Sequence, residues 1–269
     1  MAISKSIMQL EGSMANVSMY KMHGSDKVIV RAKGGPTKNQ IKTKPKFEKV
    51  RQNNGEWAGC TRMGSKIRHS FAVMNHLEDY PVTGALNALC KEIQKLDTDS
   101  KPGRRSIRLS QHRNMISGFS FSNKQVLESV LRVPLDTTLD RVAGEAHIDI
   151  PEVDAGMYLY NFRNLPYYRL VANLSGVCDL MISGDRDQYK APYNGYCDRE
   201  KGVFVSEWMP ALGVQPARSI LLKYPLTENP IPEEVTLLLC LGIEFGEVGI
   251  ANIPCGVKYA GTGKIVRVG

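Results

Sequence analysis

Hydrophobic and polar positions change their rhythm twice along the chain. Between residues 14 and 33, "MANVSMYKM" and "KVIVRAK" are β-prone runs separated by "HGSD", which predicts a hairpin with Gly24 in its turn. After Gly34-Gly35-Pro36 the period lengthens. Thr37 is placed to cap a short helix, Pro45 suits the first turn of a second, and Asn53-Asn54-Gly55 is expected to break it. Trp57, Cys60, Gly64, Ile67, Phe71 and Met74 then recur at spacings of three and four, the stripe of an amphipathic helix, with Arg62, Lys66 and His69 on its other side. "TGALNALCKEIQKLD" predicts a further helix that turns Leu86, Leu89, Ile93 and Leu96 inward and ends before the "DTDSKPG" loop.

From about residue 114 the rhythm shortens again. "MISGFSF", "EAHIDI", "YYRLVANLSGVCDLMI", "KGVFVSEW", "ARSILLKY", "EVTLLLCLGIEFG" and "GKIVRVG" are short runs bounded by Gly, Pro, Asn and Asp, and several alternate apolar with polar. Strands without intervening amphipathic helices predict an α+β protein. Residues 1–113 would form an N-terminal β-hairpin and a small basic helical region, and residues 114–269 an antiparallel β-sandwich, or a partly closed barrel. Two strands alone are marginally stable, so the hairpin must add to another sheet, its own or a neighbouring copy's.

At 269 residues and 42% hydrophobic content the chain can bury a sizeable core. The longest apolar run, "VTLLLCLGI", is far short of the roughly 20 residues that cross a bilayer, and the N-terminus lacks a signal-peptide core. A soluble, cytoplasmic protein without a membrane partner is expected. Cys60, Cys90, Cys178, Cys197, Cys240 and Cys255 form no C-x-x-C pair and read as structural thiols.

Charge adds what periodicity lacks. Residues 21–113 hold 20 Lys and Arg against 8 acids, and residues 114–269 hold 14 against 18, a net near +12 beside a net near −4. Two clusters supply most of the excess, "RAKGGPTKNQIKTKPKFEKVR" and "KPGRRSIRLSQHR". Arg31, Lys33, Lys38, Lys42, Lys44, Lys46, Lys49 and Arg51 can follow a phosphate backbone, with Arg104, Arg105 and Arg108 as a second contact line. Trp57 would be a stacking surface on that reading, but its place on the apolar stripe assigns it to the core.

Motifs for chemistry fail on spacing. "GVKYAGTGKIVRVG" has the wrong interval before Gly263-Lys264 for a phosphate loop and Ile265 where Ser or Thr is needed, so a terminal strand entered through a glycine turn is expected. Asp185 and Asp187 in "SGDRDQY" lack the further oxygens a hard cation needs, and the histidines form no ligand pair. No G-x-S-x-G elbow is present. The sequence therefore singles out no catalytic, cofactor or metal residue and no small-molecule substrate.

The expectation is a non-enzymatic protein. The leading reading is a scaffold or self-assembling structural protein, a homo-oligomer or filament in which the basic region meets the acidic β half of another copy or an acidic partner. The alternative is a nucleic-acid-binding protein, coat-like proteins included, that contacts phosphates through the same residues.

The N-terminal stretch also carries a likeness. Tyr20-Lys21, the turn Gly34-Gly35, Phe47 followed by Val50-Arg51-Gln52-Asn53-Asn54, and then Glu56, Trp57, Ala58, Gly59 and Cys60 resemble the opening of uncharacterised (hypothetical) proteins of Bacteroidota. "LDTDSKPGRRSI" and the terminal "GTGKI" look similar too. The resemblance covers mainly the first 110 or so residues, implies a bacterial cytosolic origin, and brings no activity or catalytic residue with it.

Overall fold

The computed structural model describes residues 2–4, 11–22, 26–183, 188–193, 202–225 and 230–269. The chain divides into two compact units, Met1–Arg51 and Gln52–Gly269.

In the first unit, β1 (Ala2–Ser4), β2 (Gly12–Met14), β3 (Val17–Lys21) and β4 (Val28–Ala32) form one antiparallel sheet in the order β1-β4-β3-β2. The predicted hairpin is its β3-β4 pair, with Val17 opposite Ala32 and Lys21 opposite Val28. Its turn, Gly24 included, lies outside the described residues. The hairpin thus adds to strands of its own chain. Gly35, at φ 107°, turns the chain out of β4 in a backbone region that favours glycine. Thr37 then starts α1 (Lys38–Thr43) with a reciprocal capping box, its hydroxyl accepting from Gln40 N and the Gln40 side chain accepting from Thr37 N. A single 3₁₀ turn with Pro45 at its start, Pro45–Phe47, leads into α2 (Glu48–Ser70).

The expected break at Asn53-Asn54-Gly55 does not occur, because α2 runs through it. Such stop signals cost only about 1 kcal/mol at the glycine, and the packing of the following turns outweighs them. The buried face of α2 is Glu56, Gly59, Cys60, Met63, Gly64, Ile67 and Ser70. Trp57 is not core: it is 46% exposed. A 3₁₀ segment (Ala72–Leu77) and α3 (Val82–Lys95) complete the helical layer, with Leu86 and Ile93 buried as predicted but Leu96 exposed at the helix end.

The remaining elements are α4 (Leu127–Val130), β5 (Asp136–Asp140), β6 (Glu145–Ile150), β7 (Val153–Asp154), α5 (Ala155–Tyr158), β8 (Tyr167–Cys178), β9 (Met181–Ser183), β10 (Gln188–Lys190), β11 (Gly202–Val205), β12 (Met209–Pro210), β13 (Val214–Gln215), β14 (Arg218–Lys223), β15 (Val235–Val248) and β16 (Pro254–Val268). "MISGFSF" is not a strand. It is the end of a 3₁₀ segment and a turn whose Ser120 bridges Lys264 on β16.

The main sheet runs β11-β8-β15-β16 with β12 on the far end of β8, and a three-stranded sheet runs β14-β6-β5; every pairing is antiparallel, and no sheet among the described residues closes into a barrel. One face of the main sheet meets the helical layer: Leu77 and Met74 lie against Gly242, and Asn173 donates to Ser70 O at 2.9 Å. The other face meets the small sheet, where Gly202 on β11 approaches the Lys223 backbone of β14 and Leu139 on β5 lies against Gly269. Residues 235–246 of β15, covered on both faces, are all buried. Gly261 and Gly263 sit within β16 against Leu77 and Phe121, so the glycines of the terminal motif admit close packing and do not turn the chain.

Candidate polyanion interface

The two basic clusters fall in different units: Arg31 to Arg51 in the first, Arg104, Arg105 and Arg108 in the second. Within the first cluster, Lys38, Lys42, Lys44, Lys46 and Lys49 are exposed and, among the described residues, form no ion pair. Lys38 and Lys42 lie on α1, Lys44 ends it, Lys46 lies on the 3₁₀ turn, and Lys49 opens α2. Prolines and caps thus bend a short segment so that it presents five ammonium groups and buries no residue of α1.

Aromatic rings accompany the cations. Arg31 lies 5.3 Å from the ring centre of Tyr20 across the β3-β4 pair, and Lys46 lies 5.1 Å from that of Phe47. Lys33 donates to Ala15 O at 2.9 Å and braces the β2-β3 turn. Arg51 is structural. Its guanidinium donates to Ile41 O at 2.8 Å and Lys44 O at 3.0 Å, satisfying carbonyls at the end of α1.

The second cluster is mostly tied into the fold. Glu56, 4% exposed, accepts from Lys91 Nζ at 2.7 Å and Gly103 N at 2.8 Å, and Arg105 Nε stands 3.9 Å away. Desolvation pushes the Glu56 carboxyl up, but the hydrogen bonds and charges of Lys91, Gly103 and Arg105 outweigh it and hold the group below the usual carboxylate range. Gln94 and Tyr189 both donate to Arg105 O, and Asp97 accepts from Ser100 N and Ser106 N. The loop of Arg104 and Arg105 is therefore strapped to α2 and α3. Arg104 itself is exposed.

Arg108 pairs with Asp99 at 3.8 Å and lines a cleft of about 500 Å³ with Arg113, Arg141 and Asp179. Arg113 donates to Glu233 O, and Arg141 is spent on the carbonyls of Ile231, Pro232, Val235 and Gly269. Burial, then the neighbouring Arg113, lowers the Arg141 pKa, although the carbonyls it donates to favour the charged form. Burial also raises the Asp179 pKa against two hydrogen bonds from Ser110. Arg113 thus ties the 108–113 segment, and Arg141 the turn between β5 and β6, to the residues that lead into β15.

Cys60, Cys90, Cys178 and Cys240 are buried, Cys255 is exposed, and Cys197, Asp185 and Asp187 lie outside the described residues. Among the described residues no set of three or more His, Cys, Asp or Glu side chains converges as a metal site. No described helix is long and apolar enough to cross a membrane. The class these features define is an α+β protein with a solvated lysine segment that follows a small antiparallel sheet. No protein-family model matches the chain, and no curated protein or solved structure matches it.

Proposed function

We propose that this is a non-enzymatic binding protein whose segment 31–49 docks on a polyanion, the phosphate backbone of nucleic acid foremost. The carrying observation is the set of five exposed lysines between residues 38 and 49 that no described acid neutralises. Tyr20 and Phe47 beside Arg31 and Lys46 supply ring faces of the kind that accompany backbone contacts to single strands. Lys44 and Lys46 flank Pro45, whose fixed φ limits the chain freedom lost on docking.

Binding of a labelled 20-nucleotide single strand, followed by anisotropy across a salt series, tests the reading. Neutralising five phosphates gives a slope of log K against log salt near −3.5, and replacing the five lysines by Gln should remove most of it. Absence of binding at low salt, or a slope the replacements leave unchanged, refutes it.

The acidic surplus of residues 114–269 favours a second reading, a scaffold or self-assembling structural protein in which the same lysines meet the β surface of another copy. Sedimentation of the Lys42→Glu, Lys44→Glu, Lys46→Glu variant decides: loss of higher-order species supports assembly, and an unchanged profile removes it. A bacterial, cytoplasmic setting is part of both readings and rests on the Bacteroidota resemblance.

A further inference from the structure

A cleft lined by two aromatic rings and two cations lies wholly in the second unit. Between Glu244 and Gly246 the pairing of β15 with β16 slips: Glu244 faces Gly261 and Gly246 faces Gly256, so Phe245 alone opposes Val257, Lys258, Tyr259 and Ala260. Such a bulge re-aims side chains. Here it carries Tyr259 at φ 60°, a left-handed conformation that a bulky residue adopts only under strain. Arg163 donates to Lys258 O at 3.3 Å and ties the 161–164 loop to the bulge.

Bulge and loop enclose a cleft of about 250 Å³ lined by Phe162, Arg163, Tyr259, Gly261, Asp79, Ser122, Lys124 and Gln125. Its two rings are half-open to solvent. The cations Lys124 and Arg163 and one acid, Asp79, line it; the Asp79 carboxylate stays ionised beside Lys124 and offsets part of its charge, so Arg163 is the main cation of the cleft. The carboxylate accepts from Ser122 Oγ at 2.5 Å, Asn123 N at 2.9 Å and Lys124 N at 3.1 Å. That turn fixes where Lys124 leaves the backbone. The amide oxygen of Gln125 is buried beside the cleft without a hydrogen-bond partner among the described residues.

We propose that this cleft takes one base of a single-stranded nucleic acid, stacked on Tyr259 and Phe162, with its phosphate on Arg163 and Lys124. The size decides against a whole cofactor, since sites for such ligands span roughly 300–1,000 Å³. Ring faces flanked by cations fit a nucleotide within a strand. The strain at Tyr259 is then the cost of aiming its ring into the cleft and not into the sheet.

The inference extends the nucleic-acid reading but uses other residues, so the two can fail separately. The full chain is crosslinked by ultraviolet light to a 5-bromouridine decamer and the adducts are mapped by mass spectrometry, alongside anisotropy titrations of Phe162→Ala and Tyr259→Gly. Adducts on the peptides of Phe162 or Tyr259, with roughly 5- to 150-fold weaker binding for each variant, are expected from a stacking contribution of about 1–3 kcal/mol per base. Tyr259→Gly keeps the test valid, because glycine relieves the backbone and should not lower the melting temperature. Adducts confined to residues 31–49, or unchanged affinity in both variants, overturn the cleft and leave the lysine segment standing. No binding by the parent chain overturns both.

Discussion

At Glu56 a carboxylate takes the inward position that the apolar pattern assigned to Trp57. The helix is present as predicted, but its buried face begins one residue earlier, and the tryptophan is turned to solvent by about 100°. Replacing Glu56 by Ala leaves Lys91 with Gln94 but no carboxylate and should cost about 3 kcal/mol, measurable by urea denaturation. Because the folded pKa of Glu56 lies below its unfolded value of about 4.3, its contribution is present above that pH and is lost as pH falls toward the folded value. The acid-induced drop in melting temperature below about pH 5 should therefore be shallower in Glu56→Gln. Burial raises the Cys60 thiol pKa to about 11, so Cys255 should react with a thiol reagent in the native protein while Cys60 reacts only on unfolding. A lone sequence gives no sign that a charged side chain is buried, since its partners lie 35 and 47 residues away.

At the scale of elements, strong periodicity was readable and punctuation was not. Helices 82–95 and most of 48–70, and strands 145–150, 167–178, 218–223 and 235–248, stand where their patterns put them. Asn53-Asn54-Gly55 misled because a local preference near 1 kcal/mol lost to tertiary packing, and "MISGFSF" because Phe121 and Ile116 are buried in a turn, which imitates a strand by composition. The three glycines of α2 then separate by environment. A methyl group at Gly55 meets only Gly103 O at 3.9 Å, so Gly55→Ala should stabilise by about 0.5–1 kcal/mol. The same change at Gly59 or Gly64 drives into Tyr189 or Asn87, and both variants should melt lower, by an overpacking cost of about 1–3 kcal/mol. Of the candidate interface, the lysines were readable from charge alone. The Tyr259 cleft was not, because a bulge assembles it from segments some 40 to 180 residues apart.

For the molecule as a whole, the strongest constraint is that β15 is a middle layer. Both of its faces are covered, by residues 74–77 on one side and the small sheet on the other, and both of its edges are paired. Sequence order gives this arrangement a timetable. Met74 and Leu77 leave the ribosome well before Gly242, and the 165 residues between Leu77 and Gly242 take roughly 8 to 33 s to synthesise at about 5–20 residues per second. During that interval the nascent helices hold an apolar face whose cover does not yet exist. The helices are thus made long before the strands that close the core over them, and that apolar face stays open to association until β15 has emerged.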